Sequence, residues 1–81
     1  MSDVLIYTKT HCPYCTKAKA LFNKKSISYR EVDISDNEAT RNEMISKSGG
    51  RMTVPQIFID GKSIGGCDDL YRLYESGELK L

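Results

Sequence analysis

Two thiols, Cys12 and Cys15, stand two residues apart where a strand-forming run gives way to a helical pattern, and this junction constrains the fold more than any other feature. Val4-Leu5-Ile6-Tyr7-Thr8 is a continuous run of strand formers, suited to a strand covered on both faces. From Tyr14 to Lys25, the residues Cys15, Ala18, Leu21 and Phe22 recur at helical spacing, with lysines on the opposite face. Pro13 fits the first turn of that helix, where its missing N–H costs nothing. The cysteine pair is therefore predicted at a helix N-terminus, beside unpaired N–H groups and the positive end of the helix dipole. Both favour an anion there, and it is the thiolate that reacts. Cys12 reads as the attacking sulfur and Cys15, one turn further in, as the sulfur that closes a disulfide afterwards.

Two plainer readings of the pair compete with this one. Half of a zinc site needs two further ligands, and the chain offers only Cys67 and His11, the latter adjoining Cys12 too closely to complete the same tetrahedron. A purely structural disulfide across so small a ring would restrain little chain entropy. A Cys-x-x-Cys beside a β-α-β pattern favours redox chemistry over both.

The remaining elements follow from local signals. Ile27 to Ile34 contains a second strand, with Tyr29 and Val32 packing inward. Residues 36–48 read as a more polar helix, capped by Ser35 or Asp36, buried through Met44 and Ile45, and stopped by Gly49-Gly50. Gln56-Ile57-Phe58-Ile59 and Lys62-Ser63-Ile64 flank Asp60-Gly61, a strong hairpin signal. After Gly65-Gly66, Leu70, Leu73 and Tyr74 mark a last amphipathic helix ended by Gly77. The order β-α-β-α-β-β-α, with a right-handed crossover joining the first two strands in parallel, predicts an α/β fold: a four-stranded mixed sheet with helices on both faces.

Eighty-one residues without repeats or linkers predict one domain over 1–81, too small to hold a cofactor-sized cavity. Lys and Arg total 12 against 11 acidic residues, a balance that argues against nucleic acid and membrane surfaces as partners. Lys9, Lys17, Lys19, Lys24 and Lys25 crowd the segment around the thiols; most belong on a solvated helix face, and Lys9, preceding Cys12, is the candidate of interest. The short apolar run after Met1-Ser2-Asp3 has neither the basic leader nor the length of a secretion signal, and nothing approaches a membrane span. An odd number of cysteines used as thiols points to the cytoplasm, and the chain is expected to be a monomer.

Three motifs together carry a resemblance: Tyr7-Thr8-Lys9 before Cys12-Pro13-Tyr14-Cys15, Thr53-Val54-Pro55-Gln56-Ile57-Phe58-Ile59, and Gly65-Gly66-Cys67-Asp68-Asp69-Leu70. The chain resembles the small dithiol glutaredoxins, in detail those of the bacterial glutaredoxin 3 type, over nearly its whole length. The resemblance implies a thioredoxin fold and a glutathione-dependent oxidoreductase of protein–glutathione mixed disulfides and protein disulfides, with glutathione as co-substrate and no metal. Carried over, Cys12 is the nucleophile and Cys15 the resolving thiol. The Val54–Pro55 bond is then cis, and the freed N–H and C=O of Val54, with Thr53 at the same edge, can pair with substrate backbone as a short added strand.

The Gly65-Gly66-Cys67-Asp68-Asp69 stretch also reads as a turn followed by the acidic first turn of a helix. The two roles are compatible. N–H groups of Cys67 and Asp68 can hold the α-carboxylate of the γ-glutamyl unit, a carboxylate of Asp68 or Asp69 its ammonium, and Gly66 lets the backbone approach. Lys9, Gln56 and Arg41 are the implied receivers of the glycine carboxylate, though a surface role suits Arg41 equally. Tyr14 would flank the tripeptide. His11 defaults to a solvent-facing loop residue, and the Cys67 side chain to a small buried group rather than a second redox centre.

Two other functions are compatible with such a fold. Some glutaredoxins hold a [2Fe–2S] cluster between two protomers, but those relatives commonly carry a smaller residue at the position of Pro13. Glutaredoxin-shaped hydrogen donors serviced by thioredoxin reductase lack the Gly-Gly-Cys-Asp-Asp end that this chain has.

Overall fold

The structure, a computed structural model, describes residues 3–79. Met1 and Ser2, where the N-terminal reading began, lie outside that range. The elements are β1 (Val4–Thr8), α1 (Pro13–Lys24), β2 (Arg30–Asp33), α2 (Glu38–Lys47), β3 (Gln56–Ile59), β4 (Lys62–Gly65) and α3 (Cys67–Glu75), in the predicted order. Sheet order is β2-β1-β3-β4, with β1 parallel to β2 and antiparallel to β3, and β3 antiparallel to β4.

The apolar run of β1 is covered on both sides because successive side chains alternate faces. Val4 and Ile6 join Ile57, Ala18, Leu21, Phe22, Cys67 and Leu70 in one cluster, formed with α1 and α3. Tyr7 joins Phe58, Ile34 and Met44 in the other, beneath α2, with Leu5 packed against it. Tyr7 has a polar tip, and its hydroxyl donates to Glu43 Oε1 of α2 at 3.1 Å. Tyr29 packs on the first cluster and Val32 on the second, so both turn inward, on opposite faces of the sheet.

Two local expectations shift. Helix α2 starts at Glu38 and is capped by Asn37, whose side chain accepts the Thr40 N–H, rather than by Ser35 or Asp36. Ser35 is committed elsewhere: its hydroxyl accepts the Thr10 N–H at 2.7 Å and its own N–H donates to Asp33 Oδ1 at 2.8 Å. On α3, Tyr74 is 36% exposed, and Tyr71 packs on the core in its place, its hydroxyl donating to the Lys17 carbonyl at 3.3 Å. The second strand, Arg30–Asp33, lies within the Ile27 to Ile34 stretch predicted to contain it.

The hairpin forms at Asp60-Gly61, both in the left-handed region at φ 52° and 81°, as a two-residue primed turn requires. Across β3 and β4 the pairing slips by one residue: Ile57 faces Gly65 and Phe58 faces Ser63, leaving Ile64 as the extra residue. That irregularity carries the chain from the sheet into Gly65-Gly66 and the start of α3.

Candidate active site

Cys12 is the N-cap of α1, extended at φ −109° and ψ 104°, with Pro13 following at the first helical position. Its sulfur takes the place of the usual capping oxygen, accepting the Cys15 N–H at 3.3 Å. Cys12 is half-buried, while Cys15 is 2% exposed among the apolar residues of α1. Burial first, then the hydrogen bond with Cys12, pushes the Cys15 thiol up to about 12, against smaller opposing effects of the Lys9 backbone and the Lys19 charge. At neutral pH Cys15 therefore keeps its proton. Lys19 itself is tied to β2 through Glu31 at 3.0 Å, and Glu31 also accepts from the buried Thr8 hydroxyl at 2.7 Å.

The Cys12 sulfur lies 4.0 Å from the Val54 carbonyl. The Val54–Pro55 bond is cis, as the resemblance implies. Among the described residues, the Val54 N–H meets no protein acceptor. From this point a cleft of about 180 Å³ opens, lined by Tyr14, Thr53, Val54 and Pro55 on one side and by Gly66, Cys67, Asp68 and Asp69 on the other, with Arg51 beside them. The two walls touch closely: a Cβ at Gly66 would stand 3.2 Å from the Pro55 carbonyl oxygen.

The start of α3 differs from the other helix starts. Among the described residues, no side chain accepts its first-turn N–H groups. Instead the Asp69 carboxylate reaches back to accept the Gly66 N–H at 2.9 Å. Asp69 is also paired with Arg72 and, at 3.5 Å, with Arg51. The Gly66 N–H, followed by the two guanidinium groups, holds the Asp69 carboxyl below the usual carboxylate range. Gly65 permits this arrangement because at φ 106° a Cβ would fall 2.2 Å from Asp69 Oδ2. Asp68, exposed, has no ion-pair partner among the described residues. Cys67 lies buried at the cleft, its thiol pushed up chiefly by that burial.

Eight of the sequence-derived binding residues thus line one cleft: Tyr14, Thr53, Val54, Pro55, Gly66, Cys67, Asp68 and Asp69. Lys9 and Arg41 lie outside its lining, Lys9 exposed and Arg41 half-buried on α2. Gln56 is placed differently from what the sequence implied. It is fully buried, its Nε2 donating to Thr53 Oγ1 at 3.2 Å, so it acts on the cleft rim from below rather than at the surface. His11 is exposed, in the left-handed region at φ 58°. Arg51 lines the cleft without having been singled out; its only sequence signal is a cation two residues before the Thr53-Val54-Pro55 edge.

The family model described as glutaredoxin matches residues 4–64. Glutaredoxin 3 of Escherichia coli K12 is 58% identical over 79 residues, which cover 98% of this chain and 94% of that protein. Glutaredoxin 1 of Rickettsia prowazekii is 51% identical over 80 residues, covering 98% of this chain and 84% of the relative. Among solved structures, a buckwheat glutaredoxin–glutathione complex aligns with a TM-score of 0.86 at 31% identity, over 96% of this chain and 73% of that one.

Proposed function

This chain belongs to the glutaredoxin family and is a glutathione-dependent thiol–disulfide oxidoreductase with a thioredoxin fold, and on that premise we propose that it releases glutathione from protein–glutathione mixed disulfides through Cys12 and reduces protein disulfides through Cys12 and Cys15 together. The observation that carries this reading is the pairing of two helix starts about one cleft. A sulfur caps α1, and across Val54-Pro55 lie the amides of α3 and the carboxylate of Asp68, both without a side-chain partner among the described residues.

In the first route the Cys12 thiolate attacks the glutathione sulfur of the mixed disulfide. A new S–S bond joins Cys12 to glutathione as the old one breaks, and the substrate leaves as a thiolate that takes a proton from water. A second glutathione thiolate then attacks the bound glutathione sulfur, releasing glutathione disulfide and restoring Cys12. The net change is one mixed disulfide and one glutathione converted to a protein thiol and glutathione disulfide.

In the second route Cys12 forms a mixed disulfide with the substrate protein. Cys15, on losing its proton, attacks Cys12 Sγ and expels the substrate thiolate, leaving a Cys12–Cys15 disulfide that two glutathione molecules reduce. Burial raises the affinity of Cys15 for its proton, which slows its attack on the Cys12–glutathione disulfide and leaves that bond to a second glutathione in the first route.

In the cleft, the Val54 backbone pairs with the cysteine residue of glutathione, Thr53 and Tyr14 flank the tripeptide, and the α3 amides with Asp68 take the γ-glutamyl end. Glutathione and glutathionylated or disulfide-containing proteins are the partners, met as a monomer in the cytoplasm. Among the described residues no helix is long and apolar enough to cross a membrane. Turnover of a glutathionylated peptide with glutathione as the sole reductant tests the reading: steady release of peptide thiol is expected, and a rate no faster than glutathione alone would overturn it.

A further inference from the structure

We infer that Arg51 is a specificity-determining residue of the cleft, its guanidinium receiving the α-carboxylate of the γ-glutamyl unit while Asp68 receives the ammonium on the same carbon. The inference rests on the glutathione reading above. An amino-acid headgroup carries opposite charges on one carbon, so a site that selects it needs a cation and an anion within one small space. Among the described residues, three charged ones line the cleft: Arg51, Asp68 and Asp69. Asp69 is already committed to the Gly66 N–H and to Arg72. That leaves Asp68 as the free anion and Arg51 as the cation of the lining.

Arg51 is held in place without being used up. A Cβ on Gly65 would lie 2.8 Å from Arg51 Nη1, so the guanidinium packs directly over the turn that leads into α3. Its Nη2 stands 3.5 Å from Asp69 Oδ2, a long, single contact, and its side chain is 48% exposed. A guanidinium has five N–H donors in a planar fork, and most of this fork remains open to a carboxylate.

The charge count gives a second reason. Two adjacent carboxylates at the start of α3 would repel an incoming carboxylate and cancel the attraction of the uncapped amides. Arg51 and Arg72 offset Asp69 from its two sides. Among the described residues only Arg51 does so from within the cleft; Arg72 lines the neighbouring groove with Lys17, Tyr71, Glu75 and the other side of Asp68. The binding contribution of the two arginines should differ accordingly, although both touch the same carboxylate.

The test compares wild type with Arg51→Met, Arg72→Met and Asp68→Asn on one peptide, capped through a disulfide either by glutathione or by 4-aminobutyryl-cysteinylglycine. The second cap keeps the terminal ammonium and lacks only the α-carboxylate. Arg51→Met is expected to lower kcat/KM for the glutathione cap about tenfold, the size of one charge-assisted contact. On the aminobutyryl cap that penalty should largely vanish, while the penalty of Asp68→Asn persists. Arg72→Met should keep the wild-type preference for glutathione. An equal Arg51→Met penalty on both caps, or none on either, overturns the assignment. So does a cap-dependent loss in Arg72→Met matching that of Arg51→Met, because the effect would then run through Asp69. A wild type that does not distinguish glutathione from an N-acetylcysteinylglycine cap sinks the glutathione reading itself, and this inference with it.

Discussion

Helices α1 and α3 both begin against the Val54-Pro55 segment, and they solve the same problem in opposite ways. Every helix start leaves N–H groups without intrahelical partners and a positive dipole end. At α1 the deficit is met by the Cys12 sulfur, with no acidic residue in the first turn. At α3 two acidic residues stand in the first turn, yet among the described residues no side chain accepts the leading amides: the N-cap is Gly66, which has no side chain, and Asp69 turns back to the Gly66 N–H. Helix α2, remote from the cleft lining, has the ordinary solution, an Asn37 side chain on the Thr40 N–H. The contrast teaches that an N-terminus becomes reactive or receptive according to what is placed on its amides. A polarisable sulfur makes α1 a seat for chemistry, and a withheld cap makes α3 a seat for a ligand.

The sharpest way to break this comparison is to remove the sulfurs. Cys12→Ser should lower both deglutathionylation and protein-disulfide reduction by on the order of a thousandfold or more, as loss of a nucleophile does elsewhere. A hydroxyl still caps the helix, so the fold should persist, and circular dichroism would show it. Cys15→Ser should retain deglutathionylation and lose most protein-disulfide reduction, since only the second route needs a resolving thiol. Both rates can be followed by coupling glutathione disulfide formation to its reductase. Equal loss of both activities in Cys15→Ser would remove the division of labour between the two cysteines.

At α3 the effects should be smaller and confined to recognition. Asp68→Asn should raise the KM for a glutathionylated peptide about tenfold, as one partly screened charge-assisted contact predicts. Its kcat should change little, because Asp68 is not among the reacting atoms. A variant with unchanged KM and lowered kcat would place Asp68 with the chemistry and erase the contrast between the two helix starts.

How much of this was legible beforehand depended on the range of the deciding contact. The spacing of Cys15, Ala18, Leu21 and Phe22 fixed α1, and all four are buried. Asp60-Gly61 named its own turn. Where several residues were equally good locally, distant partners chose among them. Ser35, Asp36 and Asn37 are all competent caps, and the bond from Thr10, far back in the chain, removed Ser35 from the choice. Tyr71 and Tyr74 both suit an amphipathic helix, and the packing of α3 against α1 selected Tyr71.

The site followed the same pattern. The motifs delivered the walls of the cleft, whereas Gln56, implied as a receiver of the glycine carboxylate, is a buried support for Thr53. Arg51 escaped because its meaning depends on Gly65 and Asp69, brought to it only by the hairpin and the turn into α3. One distinction could have been drawn from sequence: Asp69 stands three residues after the Gly66 N-cap, the spacing at which an acidic side chain reaches back to the cap N–H. Asp68 does not, and that alone separates the structural carboxylate from the free one.

That separation gives the smallest and most specific test. Asp69→Asn should cost about 1 kcal/mol of stability, the size of a weakened helix-start contact, or a fall in Tm of roughly 4–8 °C for a domain of this size. The pH dependence identifies the cause. In the folded protein the Gly66 N–H, Arg72 and Arg51 hold the Asp69 carboxyl below its ordinary value, which in the unfolded chain is about 4. A depressed carboxyl stabilises the fold fully above the unfolded value and loses that contribution as pH falls through the folded one. The stability gap between wild type and Asp69→Asn, measured by urea unfolding, should therefore stay level from neutral pH down to about 5 and close progressively below about 4. A gap that stays constant through the acid range would show that the charge at Asp69 contributes nothing to the cap, and α3 would then start as conventionally as α2.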